Sequence, residues 1–221
     1  MSRNRTPLIF RDFLRSETTV FFSTERKKQE QTQREEGRLP PGQYLTLKWP
    51  VLHEGSIPVF DPAKWDLTVR GLVENPLRLT WDEFKSLPRT RVKADFHCVT
   101  SWSKFDNEWE GVSFRVIAEK AVLKPEAHFV TAHGENGYTT NIPLEDLLRD
   151  NVLLADTHAP EPMTAEHGAP LRLVVPHLYA WKSAKWLRSL EFMANDRAGF
   201  WEQVGYHMYG DPFREQRYRG Q

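Results

Sequence analysis

From Trp65 onward, apolar side chains fall on every second position: Trp65, Leu67 and Val69 alternate with Asp66, Thr68 and Arg70. That period predicts a strand with one buried face, and "GLVENPLRL" reads as a turn into a second strand. The period then changes. Thr80 and Glu83 form a capping-box pattern that opens a short helix, which Pro88 closes. Phe114, Ile117, Ala118 and Ala121 recur at helical spacing, so "SFRVIAEKAVL" is predicted to be a helix with one face on the core. "HFVTAHGENGYTTNI" reads as two strands around a turn at Asn136-Gly137, and "PLEDLLRD" as a helix with Pro143 near its start and acids in its first turn. "LRLVVP" reads as a buried strand. Strands and helices interleave without a regular βαβ period, which predicts a mixed α+β domain. No internal repeat is visible.

Residues 23–43, "STERKKQEQTQREEGRLPPGQ", hold too little apolar surface to repay ordering, and are expected to form a mobile tail or a solvated helix. Phe10, Phe13, Leu14, Phe21 and Phe22 precede them and are candidates for docking on the body or on another subunit. The expected organisation is an N-terminal extension over residues 1–43 and one domain over residues 44–221.

Composition narrows the function classes. The 221 residues carry 30 Lys plus Arg against 30 Asp plus Glu, so no global charge favours nucleic acid or an anionic membrane. No membrane-spanning apolar run and no signal-peptide pattern is present, and a single cysteine cannot form an internal disulfide, so a soluble cytoplasmic protein is expected. Fifteen prolines and eight tryptophans predict many turns and a cavity or interior with large flat walls.

Three stretches carry chemistry beyond their secondary structure: "RVKADFHCVTSWSKF" with the lone Cys98, "HGAPLRLVVPHLYAWKSAKWLRSLE", and "GFWEQVGYHMYGDPFREQRY". From the residues alone Cys98 is either a small buried hydrophobe or a nucleophile or soft metal ligand. Lys182 and Lys185 read as a solvated pair or as anion binders, and Arg172 as an ordinary ion-pair partner or an anion donor. Two further classes remain open at this stage: a module stacking nucleic-acid bases on the aromatic C-terminal region, and a zinc protein using some of the eight histidines, although their spacings fit no closed structural site.

Seven separated motifs, "WPVLHEGSIPVFD", "FHCVTSWS", "WEGVSF", "YTTNIPL", "HGAPLRLVVP", "WKSAKW" and "GFWEQVGYHMYGDP", jointly resemble the molybdopterin-dependent oxidoreductases of the sulfite oxidase fold. The likeness spans roughly residues 44–215 and is nearest to compact bacterial members without a haem domain. It implies a molybdenum cofactor in which a pyranopterin dithiolene supplies two sulfurs and Cys98 a third. It further implies cofactor contacts from His167, Arg172, Lys182, Ser183, Ala184 and Lys185, with His53 as another contact, and roles near the reacting centre for Trp102 and Tyr206. Sulfite-oxidising members place an arginine a few residues beyond the cysteine, whereas this chain has Thr100, Ser101, Trp102 and Ser103, and Lys48 stands near a second missing arginine. "CVTSWS" is closer to the methionine-sulfoxide reductase branch. The resemblance therefore implies oxygen-atom transfer with a small-molecule substrate, a sulfoxide or N-oxide, with sulfite as the alternative if Arg89, Arg91 or Arg214 folds back to the site. No haem, flavin or iron-sulfur motif is present, so an external electron donor or acceptor is expected.

Overall fold

The computed structural model describes residues 25–221, and the apolar cluster Phe10 to Phe22 lies outside them. Residues 25–35 form helix α1, exposed and laced by Arg26–Glu30 and Gln31–Glu35 contacts one turn apart. The segment after α1 is tied to the body. Arg38 forks onto Asp95 at 2.6 and 2.7 Å and reaches Asp106 at 2.9 Å, while Leu39 and Gln43 are buried.

Two sheets pack around the core. In the first, the strand path runs β1 (Tyr44–Leu45), β5 (Trp102–Ser113), β8 (Leu153–His158), β10 (Arg172–Val174), with β4 (Arg89–His97) paired to β5 and β9 (Glu161–Pro162) to β8. In the second the order is β3 (Leu77–Thr80), β2 (Asp66–Gly71), β11 (Leu187–Met193), β6 (Phe129–Gly134), β7 (Thr139–Pro143). Within this second sheet only β2 and β11 run parallel. The architecture is mixed α+β, as the interleaved periods predict.

Local chemistry explains the elements. Leu67 and Val69 of β2 face inward. Thr80 caps α2 (Trp81–Lys85) with the reciprocal Glu83 bond. Helix α3 (Phe114–Ala121) buries Phe114, Ile117, Ala118 and Ala121, the four positions picked out by its spacing. Burying the Phe and Ile side chains contributes about 1.5–3 kcal/mol each. The Asn136-Gly137 turn lies between β6 and β7, and both residues adopt positive φ, 61° and 80°. The "PLEDLLRD" helix is a single turn, α4 (Leu144–Leu147), because Pro143 ends β7 and serves as its N-cap. The final helix, α5 (Phe200–Gln203), is equally short. The polar-looking segments flanking Cys98 are the long antiparallel pair β4 and β5, half-exposed along most of β4 and buried at its Phe96-His97 end.

Among the described residues no helix is long and apolar enough to cross a membrane.

Candidate active site around Cys98

Strands β4 and β5 end and begin on a four-residue turn that carries the thiol. Cys98 N–H donates to the Trp102 carbonyl at 2.9 Å and Ser101 N–H to the Cys98 carbonyl at 3.0 Å, with Ser101 at φ 75°. The Cys98 carbonyl also accepts from Gln43 Nε2 at 3.0 Å. Cys98 is 7% exposed and opens onto a cavity of about 330 Å³. Burial pushes its thiol up, against a Thr100 hydroxyl contact at 3.2 Å and the charges of Arg217 and Lys185, which act the other way.

The cavity gathers residues from distant parts of the chain. His53, Cys98, Trp102, Arg172, Ser183, Lys185 and Tyr206 all line it. Arg172 is buried; it donates to the His167 carbonyl at 2.8 Å and the Ser183 carbonyl at 3.1 Å, and its Nε has no partner. Rings of Trp49, Phe96 and Trp109 surround its guanidinium at 5.2–5.6 Å. Burial pushes it down to about 9, which leaves it charged at neutral pH. Lys185 donates to the carbonyls of Leu52 and Glu166 at 2.7 and 2.6 Å; burial, aided by the Arg172 charge, lowers it to about 7. Tyr206 stacks on Trp201 and meets Trp181 edge-on, and burial raises its hydroxyl above the ordinary tyrosine range. Ser183 turns its hydroxyl to the Val175 N–H at 2.9 Å, so its carbonyl and backbone form the wall.

Three expected contacts sit apart from the cavity wall. His167 lies behind Trp49, stacked on its ring at 3.7 Å, with Nδ1 unpartnered; burial holds it down to about 4. Ala184 is a core residue whose carbonyl accepts from Leu173 N–H. Lys182 is fully buried and turned to Glu202 at 2.6 Å, to the carbonyl and Oδ1 of Asn141 at 2.8 and 2.9 Å, and to the Met208 carbonyl at 2.6 Å. Glu202 in turn holds Trp181 Nε1 at 2.8 Å, so this network braces a cavity wall from behind.

The arginines that might complete an anion pocket are engaged or remote. Arg89 pairs with Asp156, Arg91 with Glu110 at 2.8 Å, and Arg214 and Lys48 are exposed and outside the lining. Among the described residues no group of three or more His, Cys, Asp or Glu side chains converges as a metal site. Trp49, Tyr138 and Trp201, which also line the cavity, lie inside the quoted motifs but were not named as site residues. Arg217, which donates to the Val99 carbonyl, lies in the C-terminal stretch singled out in the sequence but was not named as a site residue.

The model of the oxidoreductase molybdopterin-binding domain matches residues 54–201. The chain is 53% identical over 183 residues to a Bacillus subtilis protein named uncharacterized oxidoreductase YuiH, covering 82% of this chain and 92% of that one. It is 28% identical to a sulfite oxidase of Arabidopsis thaliana, over 71% of this chain and 49% of the relative. Against the catalytic subunit of the protein-methionine-sulfoxide reductase MsrP of Campylobacter jejuni the identity is 26%, over 68% and 56%. The chain thus spans about half the length of these last two relatives. Among solved structures, the sulfane dehydrogenase SoxCD of Paracoccus pantotrophus matches with a TM-score of 0.60 and 27% identity, over 65% of this chain and 41% of that one. The residues fit the cofactor these matches imply. A soft thiol opens into a cavity wide enough for a ring system, beside a buried guanidinium that has no carboxylate partner among the described residues and a free Nε.

Proposed function

The chain belongs to the oxidoreductase molybdopterin-binding family, a molybdenum–molybdopterin enzyme, and from that premise we propose that it removes an oxygen atom from a small neutral donor, a sulfoxide or an N-oxide. When bound, the cofactor supplies two-electron oxygen-atom exchange. Cys98 is its protein thiolate ligand, a soft donor suited to such a metal and kept deprotonated by the metal charge. Arg172 and Lys185 are the cofactor-facing donors of the cavity, with Ser183 holding Arg172 through its carbonyl, His53 at the mouth and His167 holding Trp49 in place. Ala184 and Lys182 support that wall from inside the fold.

The observation that carries the substrate class is the composition of the surface next to the thiol. Val99, Thr100 and Trp102 flank Cys98, with Trp181 and Tyr206 across the cavity. The cations that reach the lining, Arg172 and Lys185, are the two assigned to the cofactor, which leaves no further lysine or arginine of the described lining for a dianionic substrate. A desolvated dianion such as sulfite needs paired donors around it, whereas a sulfoxide needs an apolar wall and one or two hydrogen bonds to its oxygen. Tyr206 stays protonated at neutral pH, because burial raises it, and serves as such a donor. Reduction of a sulfoxide consumes two electrons and two protons and releases the sulfide and water. The electrons come from a separate donor, and the protons enter from solvent at the cavity mouth. The absence of any need for a disulfide supports a cytoplasmic setting.

Steady-state assays with a reduced dye as donor and an oxidised dye as acceptor test the reading. A sulfoxide or N-oxide is expected to be reduced with the higher kcat/KM; sulfite oxidation with a substantially higher kcat/KM would overturn the substrate class.

A further inference from the structure

The Cys98 turn is gripped from outside by a segment that also holds Tyr206. Arg217 donates through Nη1 to the Val99 carbonyl and lies 3.4 Å from the Ser101 hydroxyl, so its guanidinium spans the two residues that bracket the tip of the turn. Its Cζ lies 5.2 Å from the Tyr179 ring centre. On the far side it closes against Gly42, where an added Cβ would stand 3.0 Å from Nη2. The Glu215 carboxylate borders the same Gly42 position, where an added Cβ would stand 2.8 Å from Oε1. The backbone of the same segment pairs antiparallel with the Tyr206 segment through an isolated bridge. His207 N–H donates to the Arg217 carbonyl at 3.1 Å, Arg219 N–H to the Gly205 carbonyl at 2.9 Å, and Tyr206 bridges Tyr218.

We propose that Arg217 is a positioning residue: it sets the orientation of the Cys98 turn toward the cofactor and ties that turn to Tyr206 on the opposite wall. The inference rests on the reading of Cys98 as the protein ligand. A guanidinium suits the task, because Nη1 meets the turn while its rigid plane lies by the Tyr179 ring and sets Nη2 beside Gly42, which holds the contact in place as a freely rotating ammonium does not.

The test uses full-length holoenzyme carrying Arg217→Gln, Arg217→Lys or Cys98→Ser, with molybdenum per chain, the Mo(V) electron paramagnetic resonance spectrum, kcat and KM measured for each. Arg217→Gln is expected to retain molybdenum, to shift the spectrum, and to lower kcat about tenfold, the equivalent of one charge-assisted contact, with KM little changed. Arg217→Lys keeps the charge and loses the rigid plane, so its spectrum is expected to fall between the two. An unchanged spectrum and kcat in Arg217→Gln would overturn the proposal, and so would a loss of activity that only tracks molybdenum content. Should the Gln variant fail to fold, a wild-type spectrum and kcat in Arg217→Lys would overturn it. Cys98→Ser with an unchanged spectrum overturns the ligand reading and this inference with it; a changed Cys98→Ser spectrum beside an unchanged Arg217→Gln overturns this inference alone.

Discussion

Replacing Lys182 by Met separates a cofactor contact from a structural strut. The Met side chain keeps the apolar stem and removes the ammonium. Lys182 is fully buried, and its three N–H donors face four acceptors: Glu202, both oxygens of Asn141, and the Met208 carbonyl. Its loss leaves the Glu202 carboxylate, equally buried, with only Trp181 Nε1 at 2.8 Å and Thr140 Oγ1 at 3.3 Å, and with Oε2 already unpartnered. Breaking a buried ion pair on one side costs about 3–5 kcal/mol. For a chain of this size that corresponds to a fall in Tm of about 6–20 °C. Because the penalty comes from the stranded carboxylate, adding Glu202→Gln to Lys182→Met is expected to recover about half or more of the loss. The assay is urea denaturation of cofactor-free protein, paired with molybdenum per chain measured well below the melting temperature. Lys182→Met with wild-type stability and lost cofactor would refute the strut and restore Lys182 to the cofactor.

Two further outcomes rest on the same geometry. Arg172→Gln removes the one guanidinium buried in the cavity wall and is expected to lower cofactor retention about ten- to a hundredfold, with Arg172→Lys failing to rescue it because an ammonium cannot span the two carbonyls and still present a further donor inward; molybdenum per chain after gel filtration checks this, and full retention in either variant contradicts it. Burial holds His97 down to about 4, with the Arg38 charge assisting and Asp95 opposing. Its unfolded form takes up a proton first as pH falls, so its contribution is complete above about 6.5 and is lost between about 6.5 and 4, at about 1.4 kcal/mol per pH unit in mid-window. Urea midpoints of cofactor-free wild type and His97→Gln across that window are expected to converge in acid, and parallel curves would contradict the assignment.

The elements with a clean period were legible in the sequence. The alternation of β2, the capping box of α2 and the inward face of α3 each depend on neighbours a few residues away, so local pattern suffices. The β4–β5 pair was not assigned from the sequence, because β4 exposes Arg91 and Lys93 and buries only its Phe96-His97 end, leaving no clean apolar period. The site divided the same way. His53, Cys98, Trp102, Arg172, Ser183, Lys185 and Tyr206 line one cavity, whereas Lys182, adjacent to Ser183, faces away from it. Neighbours on an irregular turn point in different directions, and sequence spacing alone does not say which one meets the cavity. Arg217 depends on the C-terminal segment folding back 118 residues to reach Val99, a contact with no local signature.

In the proposed function everything depends on the Cys98 thiolate completing the metal site at this cavity. X-ray absorption at the molybdenum edge of full-length wild type and Cys98→Ser, both produced in a molybdenum-competent host, tests it most directly. A sulfur shell of three is expected in the wild type, two from the dithiolene and one from Cys98, and a shell of two in the variant, with oxygen-atom transfer abolished and the fold retained. The same sulfur count in both proteins, or full activity in the serine variant, would contradict it.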